Sequence, residues 1–250
     1  MSVRTLYLAW QHKKEPSRQW FPVGRLDADI KRPLYRFRYI GGAKQAQQKA
    51  GFLPLIEFPK LDKGYESSEL FPLFQNRVIN RARPDFADYL SYLDLQEEAD
   101  PIEILSTSGG SRVTDTYEVF PKLERDEDGS FVCRFFLHGW RHVNESAQKR
   151  IECLEAGDQL YVTLELTNPK TGLAVQIQTA DDYFMIGWTP RYLVNDFVKA
   201  MAESPGDYRA RVVRVNPLPA PSKQRVLIEM KARWKKHKPM MSKDFVPLVG

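Results

Sequence analysis

Lys231, Arg233, Lys235, Lys236 and Lys238 put five cations within eight residues. The chemistry open to such a run is phosphate neutralisation, each contact releasing counterions condensed on a nucleic acid. From Arg209 onward, 11 basic residues face only two acids, Glu229 and Asp244. A solvated C-terminal tail is the plainer reading of the same run. Catalysis is harder to assemble. The chain has no GxxxxGK[ST], GxGxxG, HExxH or GxSxG pattern. The four histidines, His12, His138, His142 and His237, are scattered. His138 and His142 stand four apart at the end of a strand pattern, with no carboxylate or cysteine cluster to complete a metal site. Asp181-Asp182 reads as a turn former before YFMIGW rather than as an acid-base pair. Cys133 and Cys153 allow neither a disulfide framework nor a cysteine-based zinc site, and each reads as a small buried apolar residue. The expectation is a protein without enzymatic activity, cofactor or metal.

The elements that must position these residues belong to an ordinary globular chain. With 250 residues, 42% hydrophobic and 28% charged, it is large enough for two domains with real cores. Apolar runs such as Phe135-Phe136-Leu137 fall far short of the ~20 residues of a membrane span. The start, MSVRTLYLAWQHKK, lacks a signal-peptide core, so a cytoplasmic protein with no membrane partner is expected. Charge is uneven along the chain. Residues 1–130 hold 19 Lys/Arg against 20 Asp/Glu, and residues 131–250 hold 18 against 12.

Alternation and turn residues predict strands at TLYLAW (5–10), RQWFPVGRL (18–26) and PLYRFRYI (33–40). A short helix follows at AKQAQQKA, then the strand-like FLPLIEFP. Helical spacing of Leu70, Phe71, Phe74 and Val78 predicts a helix over Glu69–Arg81, a second from Pro84, and a third at DPIEILSTSGG closed by Gly109. Leu70, Phe71, Leu73 and Phe74 are more apolar positions than one helix face needs, so some are expected to meet a partner, with Leu73 and Gln75 as candidates. The charged turn ERDEDG ends the first half. Beyond it come the strand FVCRFFLHGW, a helix capped by Asn144, strands at DQLYVTLELT, LAVQIQT and YFMIGW, a helix from Pro190, and strands at YRARVVRVNP and KQRVLIEMKARW. So many strands with so little helix suggest a small closed or half-closed barrel. The expected class is α+β: a module at 1–124, a linker at 125–130, a barrel at 131–236 and a basic tail at 237–250.

Two resemblances extend this reading. Leu70-Phe71-Pro72-Leu73-Phe74 with Asn76, preceded by PVGRL (22–26) and YRFRY (35–39) and followed by DPIEILSTSGG, is similar to the N-terminal subdomain of HipA-type kinases over about residues 5–124. The kinase core has no counterpart, so the resemblance implies a docking module without phosphotransfer that recruits a protein partner. The second half resembles the HIRAN domain, an OB-like barrel of replication-fork helicases. The matching stretches are FLHGWRHV (136–143), LEAGDQLYVTLE (154–165), Asn168-Pro169, Ala174-Val175 and IGWTPR (186–191).

The HIRAN resemblance implies Arg141 for phosphate, His142 for stacking and the Asn168 loop at a strand end. Trp140 and Trp188 offer stacking surfaces or serve as rim aromatics, and Arg191 meets phosphate or a surface acid. The chain departs from the family where Lys170 and Thr171 replace a Tyr-Asp pair and Leu173 replaces Asn, so recognition of a free 3′-hydroxyl is not implied. The expected function is DNA binding, of single strands, ends or junctions, with recruitment of a protein partner in a bacterial, phage-defence or mobile-element setting. The alternative is a protein-interaction regulator resembling a toxin-kinase partner or antitoxin, with no specific nucleic-acid site.

Overall fold

The computed structural model describes residues 3–13 and 18–250. These residues pack into two units. One holds the described residues of Met1–Ala87 together with Glu97–Lys122 and Met240–Gly250; the other holds Asp88–Gln96 and Leu123–Pro239. The architecture is α+β, with two antiparallel sheets and few helices.

The first unit is built on strands β1 Val3–Gln11, β2 Trp20–Asp29, β3 Leu34–Tyr39, β4 Tyr65–Ser67 and β5 Tyr117–Pro121, in the order β4-β3-β2-β1-β5. Helix α1 Gly41–Ala50 lies flush on β2: a side chain at Gly42 would meet the Pro22 carbonyl at 2.0 Å. Phe37 stacks on Phe58 at 4.0 Å, and Tyr39 donates its hydroxyl to the Phe58 carbonyl. FLPLIEFP forms no strand. Pro54 and Pro59 remove ladder donors, and the segment is instead a loop that plugs the core with Phe52 and Phe58 and leaves Leu53 and Ile56 exposed. The helix expected over Glu69–Arg81 shrinks to one turn, α2 Pro72–Gln75. Arg77 ends it by turning inward, where its guanidinium donates to the Gly110 carbonyl and pairs with Asp115 at 2.6 Å. Helix α3, Phe86–Tyr92, carries the chain out of this unit at 87/88, and α4 Pro101–Ser108 starts on the Asp100 cap and stops at left-handed Gly109. The end of the expected tail is tied down: Gly41 N–H donates to Val246, Leu248 N–H to Tyr39, and Phe245 packs on Tyr7.

The second unit contains β6 Ser130–Phe136, α5 Glu145–Glu152, β7 Gln159–Asn168, β8 Gly172–Thr179, β9 Met185–Trp188, α6 Val194–Glu203, β10 Arg209–Val215 and β11 Val226–Arg233. The strand order is β6-β11-β10-β7-β8-β9. The expected barrel is corrected here, because the sheet does not close. Its edges β6 and β9 share no ladder, and only one bridge, His138 with Trp188, joins their ends. After Phe136 the chain turns away at Gly139, with φ 70°, before a ladder can form. Inside, Trp234 is fully buried and stacks on Phe131 at 3.7 Å. The Glu203 carboxylate then accepts the amide N–H groups of Lys235, Lys236 and His237, so the start of the expected tail is pinned as well.

Packing also regroups the charge. The acids of Asp88–Gln96 and of the 124–128 turn fall in the second unit, which holds 18 Lys/Arg against 17 Asp/Glu, while the described residues of the first hold 18 against 14. Net charge therefore does not single out the second unit.

Candidate nucleic-acid interface

The stretch following β6 makes a 3-10 turn, Trp140–His142, entered through Gly139. A side chain at Gly139 would come within 2.5 Å of the Trp188 ring, so only glycine lets the turn rest on that indole. His138 and Trp188 exchange two backbone hydrogen bonds of 2.9 Å. The Trp188 Nε1 donates to Glu165 Oε2 at 2.7 Å, and Asn168 Nδ2 donates to the same oxygen at 2.9 Å. Asn168 Oδ1 in turn accepts the N–H groups of Lys170 and Thr171 and the Thr171 hydroxyl. Partial burial pushes the Glu165 carboxyl up, but hydrogen bonds from Asn168, Trp188 and Gln176 outweigh it and hold the group below its ordinary value.

The structure thus links the Trp140–His142 turn, Trp188 and the Asn168–Thr171 hairpin into one cluster. Arg141 and His142 are exposed, and among the described residues the Arg141 guanidinium makes no ion pair. Lys170 and Thr171 are exposed at the β7–β8 turn. Trp140 is half-buried, its Nε1 donating to the Ser222 carbonyl at 2.8 Å. Arg191 is half-buried in a 3-10 turn after Pro190. Two residues are committed to structure. Asn168 spends its side chain on the hairpin, and Trp188 has one face covered by Gly139. In the first unit, Leu73 is half-buried against the core, with its N–H donating to Glu57, and Gln75 is exposed.

Sequence reading missed two features. Glu165 is one; the other is the outer face of the six-stranded sheet. Ala210, Met230, Ala232 and Cys133 are buried, so their neighbours Arg209, Arg211, Lys231, Arg233 and Arg134 point out. Glu229 lies among them, reached by Arg211 at 2.9 Å, Arg134 at 3.0 Å and Lys231 at 3.6 Å. Burial raises its carboxyl, and the hydrogen bonds from Arg211 and Arg134 lower it further than burial raises it. Tyr161, next on this face, stacks on Tyr183. The signal lay in the alternation of RARV and EMKAR, where every second residue is charged.

A pocket of about 400 Å³ lies in the first unit, lined by Arg25, Asp27, Arg36, Arg38, Tyr65 and Glu66 among others. Its charges largely serve one another: Arg25 and Arg38 each reach Asp27 at 2.8 Å, and Arg36 reaches Glu66 at 2.8 Å. Among the described residues no group of three His, Cys, Asp or Glu side chains is placed to hold a metal, and no helix is long and apolar enough to cross a membrane. Cys133 is buried, but Cys153 is exposed at the end of α5, contrary to the expectation for it.

No family model matches this chain, and no curated protein does. Among solved structures, it is similar to a protein from Lactobacillus plantarum determined by a structural genomics consortium. That alignment covers 42% of this chain and 97% of the other, at 17% identity and a TM-score of 0.33.

Proposed function

We propose that this chain is a non-enzymatic DNA-binding protein acting on single strands, ends or junctions. The observation that carries the reading is the exposed pair Arg141 and His142, held beside Trp188 on a turn that Glu165 and Asn168 brace. A guanidinium without an ion pair is open to a phosphate, and the rings beside it offer stacking surface. The resemblance to HIRAN domains supports the same reading. The first module, by its resemblance to the HipA subdomain, recruits a protein partner, with exposed Gln75 and half-buried Leu73 at the contact, in a bacterial or mobile-element defence setting.

The hairpin argues against reading of a 3′-hydroxyl. Thr171 already donates its hydroxyl to Asn168, and no carboxylate takes the place of the family's aspartate. A gel-shift panel of single-stranded, duplex, 3′-phosphorylated and RNA probes tests this. Arg141→Ala is expected to weaken all bound probes alike, by about 1–3 kcal/mol. A tenfold loss on 3′-phosphorylation, about 1.4 kcal/mol, would show an end-specific pocket instead.

A regulator that binds protein alone is favoured by one observation, the exposure of Leu53 (76%) and Ile56 (99%) on the first unit. It predicts that no probe is retained even at low salt, while Leu53→Ser and Ile56→Ser abolish capture of a partner.

A further inference from the structure

We propose that the outer face of the six-stranded sheet is a path for single-stranded nucleic acid, with phosphates on Lys231, Arg209 and Arg211 and a base stacked on the Tyr161–Tyr183 pair. The inference rests on the nucleic-acid reading above and adds to it a second surface, distinct from the Trp140–His142 turn.

Register places the cations. Arg209 faces Lys231 across β10 and β11, and Arg211 faces Glu229, which faces Arg134 on β6. Ala210 faces Leu160 and Arg211 faces Gln159, so the same register carries Arg209 to the side of Tyr161. Successive strands are about 4.8 Å apart, so Lys231, Arg209 and Tyr161 form a row crossing the sheet in short steps. Like charges directly opposite each other, as in Arg209 and Lys231, destabilise a sheet. Glu229 offsets part of that cost, but it is already shared by Arg134, Arg211 and Lys231, and Arg209 donates only to the Gly206 and Tyr208 carbonyls. Arg233 has its own partner in Asp128 at 2.9 Å and Arg134 a second one in Asp94 at 3.0 Å, so the surplus on this face lies with Arg209 and with Arg211 and Lys231, which share Glu229.

The tyrosines mark where bases would go. Their rings lie 5.7 Å apart at 14°, and they remain 47% and 65% exposed, so neither fills the core. Tyr183 holds φ 59°, a strained conformation for a bulky residue. The turn that imposes it is braced: Asp182 accepts from the Thr179 hydroxyl and pairs with Arg150 at 2.7 Å, and Thr179 N–H donates to Phe184. The result is a rigid ring platform beside a cation row. Tyr161 faces Gln178 on β8, and two residues along, Gln176 faces Trp188. The platform therefore leads toward the Trp188 turn on the same sheet. Stacking requires unpaired bases and tolerates any sequence, which selects a single strand over a duplex. An acidic protein would use the cations and leave the rings idle.

The test uses the full chain and fluorescence anisotropy, with labelled oligo-dT, oligo-U, duplex DNA and polyglutamate as probes. Tyr161→Ala and Tyr183→Ala are each expected to weaken oligo-dT and oligo-U about tenfold, while Tyr161→Phe and Tyr183→Phe, which keep the stack, bind as the parent does. Lys231→Gln is expected to lower the salt slope by about 0.7. Thermal melts of each variant confirm folding, and the phenylalanine pair keeps the test valid if an alanine variant melts early. Unchanged single-strand binding by the Ala and Gln variants, while Arg141→Ala still weakens it, overturns the path and leaves the nucleic-acid reading standing. Equal losses toward duplex or polyglutamate also overturn it, by assigning the face to another partner. Absence of all nucleic-acid binding by the parent overturns both.

Discussion

Glu165 joins Trp188 to the Asn168 hairpin through hydrogen bonds of 2.7 and 2.9 Å, so its charge controls a turn rather than a core. Replacing it with Gln leaves an acceptor oxygen but weakens both bonds; the expected cost is about 1 kcal/mol or a little more, read as a fall in Tm. The pH dependence has a definite sign. The carboxyl is held below its ordinary value of 4.5, so its contribution is full above that value and is lost as pH falls through the lower folded value. Tm of the parent should therefore drop in that acid range more steeply than Tm of Glu165→Gln, and parallel slopes would deny Glu165 this role. The cysteines give an independent check. Burial, aided by the Asp196 charge, pushes the Cys133 thiol up to about 12, whereas Cys153 is exposed. A thiol reagent at pH 8 should modify Cys153 alone until the chain is denatured. At this scale Arg141, His142 and Trp188 were singled out from the sequence, and the structure sets the Trp140–His142 turn against Trp188; their role in binding is the proposal. Glu165 was not singled out, because in TLELT it looks like any outward-facing strand residue until β9 brings an indole to it.

Two helix ends, the Asn144 cap and the Gly109 stop, were legible because capping chemistry is local, whereas the helices expected from Pro84 and Pro190 begin at Phe86 and, after a 3-10 turn, at Val194. Asp100 accepts from the N–H groups of Ile102 and Glu103, and Asn144 accepts from Ala147. Asp100→Ala should cost about 1–2 kcal/mol by chemical denaturation. The elements that misled were decided by distant partners: the helix over Glu69–Arg81 yields to the pairing of buried Arg77 with half-buried Asp115, and FLPLIEFP yields to a core that needs Phe52 and Phe58 from a loop. Gly139 belongs to this scale too, since its left-handed backbone and its contact with the Trp188 ring end β6. Gly139→Ala should destabilise by about 1–3 kcal/mol and weaken DNA binding by displacing Arg141 and His142. A variant as stable as the parent, with unchanged affinity, would show that the turn tolerates a different path.

Across the whole molecule, the chain crosses between its two units at 87/88, 96/97, 122/123 and 239/240, a path no composition shift announces. The break in apolar periodicity at 125–130, read as a linker, is instead a turn inside the second unit, where Trp234 N–H donates to the Gly129 carbonyl and Arg233 pairs with Asp128. What was not legible is that 88–96 joins the second unit: Arg214 donates to the Ser91 hydroxyl, and the buried Asn216 donates to the Tyr92 carbonyl. A fragment cut at 131–250 loses those partners, so it should lack the cooperative melt that a fragment spanning 86–239 retains; equal melts would show that 88–96 is dispensable. The charge contrast between sequence halves reverses once residues are grouped by packing, the first unit being the more positive, so the proposed nucleic-acid binding rests on where individual cations sit. The most direct test is to titrate the full chain against a labelled single-stranded oligonucleotide across a salt series, with Arg141→Ala beside it. Saturable binding is expected, weakening linearly in log salt by about 0.7 for each phosphate contacted, with lower affinity and a shallower slope for Arg141→Ala. No binding at the lowest salt, or binding indifferent to both salt and Arg141, would contradict the account.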